Sequence, residues 1–235
     1  MVRTALIATA AAAGFAAQAN ADFVDVRYLG TGRGQELRVE FNGHTQNLFA
    51  GQLRHRLSNG TGDAAALNGD HLTFCSDLAQ YVSSSTKTYE TVAVALIPAS
   101  SPMGALKAAA IYDLYTAGSA LALESDADNK RAAAFQIALW EIVSDYDGSA
   151  ASLSLTAGSF KAFKKDGGAL DATIRNHALA LFAAVGSNTE HSVHLTGLSS
   201  RTAQDQILAG FNVPAPASGA LALAGCLVLA RRRRA

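Results

Sequence analysis

The chain has 235 residues, of which 49% are hydrophobic and 16% are charged, so it can build one globular core without a second domain. Its 19 Lys and Arg residues balance its 19 Asp and Glu residues, which removes any argument from bulk charge for binding nucleic acid or an anionic membrane surface. The motifs of the chain predict neither a cofactor nor a metal site.

The first 21 residues have the layout of a secretory signal peptide. Arg3 precedes an apolar stretch of small residues from Ala5 to Ala17, and Ala19-Asn20-Ala21 supplies a cleavage site of the A-x-A type. A buried Ala-rich helix is the alternative, but it would not need this order of charge, apolar core and small residues. We therefore predict that signal peptidase removes residues 1–21 and that the mature chain begins at Asp22.

The segment from Phe23 to Val94 predicts an antiparallel sheet, because its apolar residues alternate in short runs. Asn-Gly pairs at 42–43, 59–60 and 68–69 are typical of hairpin turns. The sequence GTGRG, residues 30–34, predicts a loop, and it lacks the following helix that phosphate binding requires.

The residues around Cys75, HLTFCSDLAQYV, alternate as a strand does. On this pattern Leu72 and Phe74 face the core of the sheet. Cys75 then points to the opposite face, where a packed helix can cover it.

The period becomes helical between Gly104 and Tyr146, where LKAAAIYDLYTAG and NKRAAAFQIALWEIVSDY predict two helices. In the second helix Gln136 lies within an apolar stripe that includes Leu139 and Trp140. A buried carboxamide is destabilising unless something bonds to it, so Gln136 needs a partner. This helix is the natural cover for Cys75.

The remaining elements are a strand or loop near 152–160, a helix over about 170–185, and strands near 192–198 and 205–211. The predicted fold class is α+β: an antiparallel β-sandwich or barrel-like sheet with a helical insertion, a signal helix at the N-terminus and a sorting helix at the C-terminus. The predicted domains are the signal peptide 1–21, a secreted domain 22–212 and a C-terminal signal 213–235.

The C-terminal segment has three parts in a specific order: a proline motif, an apolar run over 217–230 and an arginine cluster. This order resembles the PEP-CTERM sorting signal in its VPAP variant. The resemblance implies transient anchoring in the inner membrane, with the arginines on the cytoplasmic side, and cleavage near the proline motif by an exosortase. A plain tail anchor is the alternative. Both predict export of residues 22–212, to the cell surface or the extracellular space. The residues of the two motifs are Val213, Pro214, Pro216, Arg231, Arg232, Arg233 and Arg234.

The secreted domain keeps one cysteine, because Cys226 lies in the sorting helix and leaves with it. An intramolecular disulfide is thus excluded, and an unpaired Cys75 in an oxidising compartment needs a reason. Cys75 can be buried and inert, pair with another chain, act as a nucleophile, or be consumed in another internal bond.

The segments FCSD and FQIALWEI resemble the thioester-forming domains of bacterial surface adhesins, whose glutamine motif is TQxAIW. The resemblance implies that a strand cysteine attacks the glutamine carboxamide, releases ammonia and forms an internal thioester. Cys75 matches the cysteine, and Gln136 matches the acyl donor.

Three further positions follow from the same resemblance. Ala138 and Trp140 match the alanine and tryptophan that pack behind the bond, and Phe135 stands where the family has threonine. We expect these three side chains to shield the acyl group from water.

The leading hypothesis is a surface-sorted protein whose thioester couples once to an amine or hydroxyl on a surface or matrix partner, without enzyme turnover. The second is a structural or binding module of extracellular matrix or biofilm with a buried thiol. The third is a cysteine-dependent enzyme, but His71 lies four residues away along a strand, roughly 13 Å, and only the distant His177, His191 and His194 remain as partners.

Overall fold

The structure is a computed structural model, and it describes residues 21–118, 129–187 and 193–210. All of these residues belong to one compact unit between Ala21 and Ala215. The predicted signal peptide, the proline motif, the sorting helix with Cys226 and the arginine cluster lie outside the described residues. In the ranges above, every helix is too short or too polar to cross a membrane.

The described ranges form seven strands and three α-helices, with short 3-10 helices at 62–67, 94–96 and 150–152. The strands are β1 Phe23–Phe41, β2 His44–Ser58, β3 Gly69–Cys75, β4 Lys87–Val92, β5 Phe160–Lys164, β6 Leu195–Ser199 and β7 Gln206–Ala209. The helices are α1 Gly104–Gly118, α2 Asn129–Asp145 and α3 Ala172–Phe182.

The strands form one sheet in the order β2-β3-β7-β6-β4-β1-β5, in which every pairing is antiparallel. β1 also pairs with β2, so six strands close into a ring and β5 extends the far half of β1. The α+β class is confirmed. The helices predicted over 106–118, 129–146 and about 170–185 are also confirmed within a few residues.

The first hairpin is longer than the predicted short runs, because β1 has 19 residues and β2 has 15. Asn42 and Gly43 form its turn with φ angles of 50° and 79°, the left-handed conformation that a two-residue hairpin turn requires. The other two Asn-Gly pairs are not hairpin turns. They flank the 3-10 helix between β2 and β3.

The loop predicted at 30–34 is wrong, because this segment continues β1 through two register shifts. A side chain on Gly34 would place a Cβ 2.3 Å from the carbonyl oxygen of Ala50, so the two strand backbones approach closely here. Glycine permits a bulged strand at a position where composition alone favours a loop.

The described residues enclose two hydrophobic cores. The smaller core takes side chains from β1, β2, β4, β6 and β7, including Val24, Leu57 and Leu198. The larger core surrounds α2, whose residues from Ala132 to Ile142 are all buried. Gly118 of α1 permits this packing, since a Cβ there would lie 2.5 Å from the ring of Phe135.

The predicted faces of β3 need a correction. Phe74 packs on the helices, with ring centroids 4.6 Å from Phe135 and 6.4 Å from Tyr115. Leu72 is only partly buried and lines a surface cavity. Alternation alone cannot identify the covered face, because Phe74 and Cys75, at consecutive positions of β3, both belong to the core around α2.

Candidate functional site

The structure brings Cys75 and Gln136 into direct contact, although they are 61 residues apart. The backbone N–H of Cys75 donates to Gln136 Oε1 at 3.1 Å, and Gln136 Nε2 donates to the carbonyl oxygen of Cys75 at 2.8 Å. The two residues are 2% and 1% exposed. The carboxamide is therefore held at both ends by the main chain of the cysteine.

The end of β3 explains why this main chain is available to a side chain. β2 pairs with β3 only as far as Thr73, while β7 continues to Cys75. One edge of β3 is therefore left without a strand partner at Cys75, and a buried backbone N–H and C=O need partners. The Gln136 carboxamide bonds to both of these groups, as the backbone of a neighbouring strand would.

The Cys75 thiol is held by the chain that follows it. Its Sγ donates to the carbonyl oxygen of Asp77 at 2.9 Å and accepts from the N–H of Asp77 at 3.2 Å. Burial raises the pKa of the Cys75 thiol strongly, against smaller lowering by the indole of Trp140 and the backbone of Asp77. The sulfur is therefore protonated at neutral pH.

Trp140 is 2% exposed and packs on Phe160 with a centroid distance of 6.1 Å. Its indole N–H lowers the pKa of the Cys75 thiol, although it makes no hydrogen bond of standard geometry in the part of the chain that the structure describes. A buried N–H without a full partner is destabilising by about 1–3 kcal/mol, so its position beside the sulfur needs an explanation.

A cavity of about 140 Å³ adjoins the contact, and we call it the Cys75 cavity. Phe135 and Ala138 are buried but are not among its lining residues, and Phe135 instead packs between Phe74 and Tyr115. Of the three predicted shielding residues, Trp140 alone lines it. The lining residues are Tyr28, Thr31, Leu48, Phe49, Gly51, Leu53, Cys75, Leu78, Tyr81, Val82, Gln136, Trp140 and Gln204.

The segment after β3 covers this cavity, a feature that the sequence did not predict. Gln204 Nε2 donates to the carbonyl oxygens of Asp77 and Gln80, both at 3.0 Å. The Tyr81 hydroxyl donates to Gln46 Oε1 of β2 at 3.0 Å. Contacts of this range in sequence leave no local pattern that could have identified them.

Two buried acids near the thiol were also missed as site residues. Asp205 is fully buried, and its carboxylate accepts hydrogen bonds from the N–H groups of Ala99 and Ser200. Burial raises the pKa of Asp205 to about 6, with a smaller contribution from Asp77. Burial also raises the pKa of Asp77, whose Oδ1 accepts from the N–H of Ala79 at 2.7 Å.

The Cys75 thiol and His71 each bond to backbone groups. His71 Nε2 lies 2.7 Å from the carbonyl oxygen of Leu67, and the Cys75 thiol is engaged by backbone instead. Among the described residues there is no cluster of three His, Cys, Asp or Glu side chains that could hold a metal ion. A cavity of about 430 Å³ lies elsewhere, beside Arg54, Asp70 and His71.

Comparison of the chain with models of known protein families, with curated proteins and with solved structures finds no match in any of the three.

Proposed function

We propose that Cys75 and Gln136 form an internal thioester, which couples the protein once to an amine or hydroxyl on a surface or matrix partner. The observation that carries the proposal is the contact itself: the one cysteine of the predicted secreted domain holds a buried glutamine carboxamide between its own N–H and C=O. The same contact places the carboxamide beside the one thiol with which it could react.

The geometry supports the chemistry of bond formation. When Cys75 Sγ attacks the carboxamide carbon of Gln136, negative charge develops on Oε1, which already accepts from the Cys75 N–H. The C–N bond breaks, and the thiol proton leaves with the nitrogen as ammonia. Because burial keeps the thiol protonated, proton transfer must accompany the attack.

In the coupling step the sulfur of Cys75 becomes the leaving group. An incoming amine or hydroxyl forms a bond to the acyl carbon, the C–S bond breaks, and the proton of the nucleophile returns to the sulfur as a thiol. The small, mostly apolar Cys75 cavity limits water at the acyl group, with Trp140 as one wall.

Export and sorting belong to the same proposal. We infer removal of residues 1–21 by signal peptidase, transient anchoring by the C-terminal helix and release by an exosortase. Asp22 lies within the fold, since its carbonyl oxygen accepts from the N–H of Thr91 at 2.9 Å and its carboxylate from the N–H of Asp63 at 2.9 Å. Cleavage before Asp22 would therefore leave the folded unit intact.

A second candidate is a structural or binding module without acyl chemistry. The observation that favours it is that both polar atoms of Gln136 and the Cys75 thiol already have partners. The polar groups of this pair therefore have hydrogen-bond partners without a covalent bond.

The intact mass of the purified protein distinguishes the two candidates. The thioester requires a mass lower than that of the processed sequence by one ammonia. After methylamine opens the bond, the mass should exceed that of the processed sequence by one CH₂ group, because methylamine replaces ammonia on Gln136, and a titratable thiol should be released. Cys75→Ala and Gln136→Ala should each abolish the deficit. Gln206→Ala, a second buried glutamine beside Cys75, should retain it. Full sequence mass and a free thiol in the wild type would reject the thioester and leave the structural module.

A further inference from the structure

A second cavity, of about 320 Å³, is lined by the first residues of the loop that follows Cys75, and we call it the Asp77 cavity. Trp140 and Leu78 line both cavities, whereas Cys75 and Gln136 line only the first. Its volume is at the lower end of the roughly 300–1,000 Å³ typical of small-molecule sites. Asp77, Lys107 and the serines at 100, 101, 144 and 159 also line it.

Asp77 gives this cavity an unmet hydrogen-bond acceptor. The residue is 2% exposed, and its Oδ2 has no partner among the described residues, while Oδ1 accepts from Ala79. The Gln80 amide lies near enough to lower the carboxyl pKa but makes no hydrogen bond of standard geometry to Oδ2. A buried carboxylate oxygen without a donor is strongly destabilising, so a donor from a bound molecule would be favourable.

Lys107 places a positive charge in the same wall. Its Nζ donates to the carbonyl oxygens of Val143 at 2.8 Å and Ser144 at 3.0 Å, at the C-terminal end of α2. An ammonium group has three donors, so it can still serve a ligand. A cationic ligand would gain from Asp77 and be repelled by Lys107, and an anionic ligand would experience the reverse.

A neutral ligand that both donates and accepts hydrogen bonds suits this wall better than either ion. Hydroxyl groups of four serines at the rim, 100, 101, 144 and 159, add donors and acceptors, and Trp140 adds an apolar surface. A sugar ring combines hydroxyls around its edge with apolar C–H faces.

We propose that the Asp77 cavity binds one neutral sugar ring, with a ring hydroxyl donating to Asp77 Oδ2 and an oxygen of the sugar accepting from Lys107. This site does not depend on the thioester, because neither Cys75 nor Gln136 lines it. It would give the exported protein a noncovalent hold on a polysaccharide.

The chain has one tryptophan, Trp140, so its fluorescence reports directly on this cavity. The purified protein is titrated with glucose, galactose and N-acetylglucosamine, and binding is followed by Trp140 emission and by calorimetry. At least one sugar should give a saturable signal in both. Asp77→Asn keeps an acceptor for the Ala79 amide but places an NH₂ group toward the sugar, and it should weaken binding about tenfold or more.

Asp70→Asn is the matched control, because it removes an acid from the other large cavity and should leave the affinity unchanged. Gln136→Ala should also bind the sugar, so that a failed thioester does not affect the result. The proposal is overturned if no sugar gives a signal, if Asp70→Asn rather than Asp77→Asn weakens binding, or if methylammonium or acetate binds and the sugars do not. Ser144→Val provides a second variant if Asp77→Asn does not fold, with the same direction of effect.

Discussion

Two buried glutamines lie beside Cys75 and satisfy their carboxamides in different ways. Gln206 is the cross-strand partner of Cys75 on β7, and its Oε1 accepts from the Thr73 hydroxyl at 2.9 Å while its Nε2 donates to the backbone and side chain of Gln204. Gln136 bonds only to the main chain of Cys75 in the contacts described. Gln206 belongs to a network of side chains, whereas both polar atoms of the Gln136 carboxamide bond to a single residue, Cys75.

The two glutamines differ in their hydrogen-bond partners and not in their burial. Both glutamines are at most 1% exposed, so burial does not distinguish them. The two glutamines differ in the donor that bonds to the carboxamide oxygen. For Gln206 it is the Thr73 hydroxyl, which also bonds to His55. For Gln136 it is the backbone N–H of Cys75. The N–H is fixed by the backbone and is therefore already in position to stabilise an oxyanion.

The largest expected effect is the loss of stability when the bond between Cys75 and Gln136 is opened. A covalent bond between residues 61 apart restricts the unfolded chain, so opening it with methylamine should lower the free energy of unfolding by about 4 kcal/mol, if it acts as a disulfide of that loop length does. Urea unfolding before and after treatment measures the change. Cys75→Ala should show no response to methylamine, and peptide mapping that finds the amine on Gln206 would reverse the assignment of the two glutamines.

The next effect is the pH dependence of stability that comes from His55, which bonds to Thr73 in the Gln206 network. Burial lowers the pKa of His55 from 6.5 to about 4, so the unfolded chain binds a proton in this range before the folded chain does. Stability from this group is complete above pH 6.5 and is lost as pH falls toward 4, by at most about 1.4 kcal/mol per pH unit. Asp205, with its pKa raised to about 6, has the opposite sign.

The difference between wild type and His55→Gln in urea unfolding at several pH values isolates the histidine. The variant should lose less stability than the wild type between pH 6.5 and 4. Equal losses in the two proteins would show that His55 is not the titrating group. Methylamine uptake at Gln136 should not follow this pH dependence, because His55 does not contact it in the interactions described.

The helices and the Cys75–Gln136 pair were the parts most accessible to prediction from the sequence. Helical periodicity over 129–146 is a local signal, and a glutamine within an apolar stripe requires a partner from elsewhere in the chain. The lone cysteine supplied that partner by elimination and resemblance. These inferences depend on residue type and spacing, which the sequence contains.

The remaining features depend on contacts that leave no local pattern. The Gly34–Gly51 approach makes a bulged strand from a segment whose composition favours a loop. The hydrogen bond between Thr73 and Gln206 spans 133 residues. Gln206 has no visible role in the sequence, since it becomes a buried network residue only when β7 pairs with β3.

Removing the network glutamine should have an intermediate effect. Gln206→Ala leaves the buried Thr73 hydroxyl without its acceptor and should lower the free energy of unfolding by about 2 kcal/mol, within the usual range for such groups. Urea unfolding measures this, and the mass deficit should remain. A variant that is folded but has lost the deficit would mean that the network also positions Cys75.

The smallest expected effect on stability distinguishes shielding from packing at Trp140. Trp140→Phe keeps an aromatic ring against Phe160 and should lower the free energy of unfolding by only about 1 kcal/mol, but it removes the indole N–H beside the Cys75 sulfur and one wall of the Cys75 cavity. Water should then reach the acyl group more easily, so the thioester should hydrolyse faster, measured as the rate at which a free thiol appears on storage.

Phe135→Leu is the matched control, since Phe135 is equally buried in α2 but does not line the cavity. The thioester of this variant should keep the lifetime of the wild type. If both variants lose the bond at the same rate, helix packing as a whole protects it. If Trp140→Phe alone does so, protection depends on the wall that Trp140 gives the Cys75 cavity.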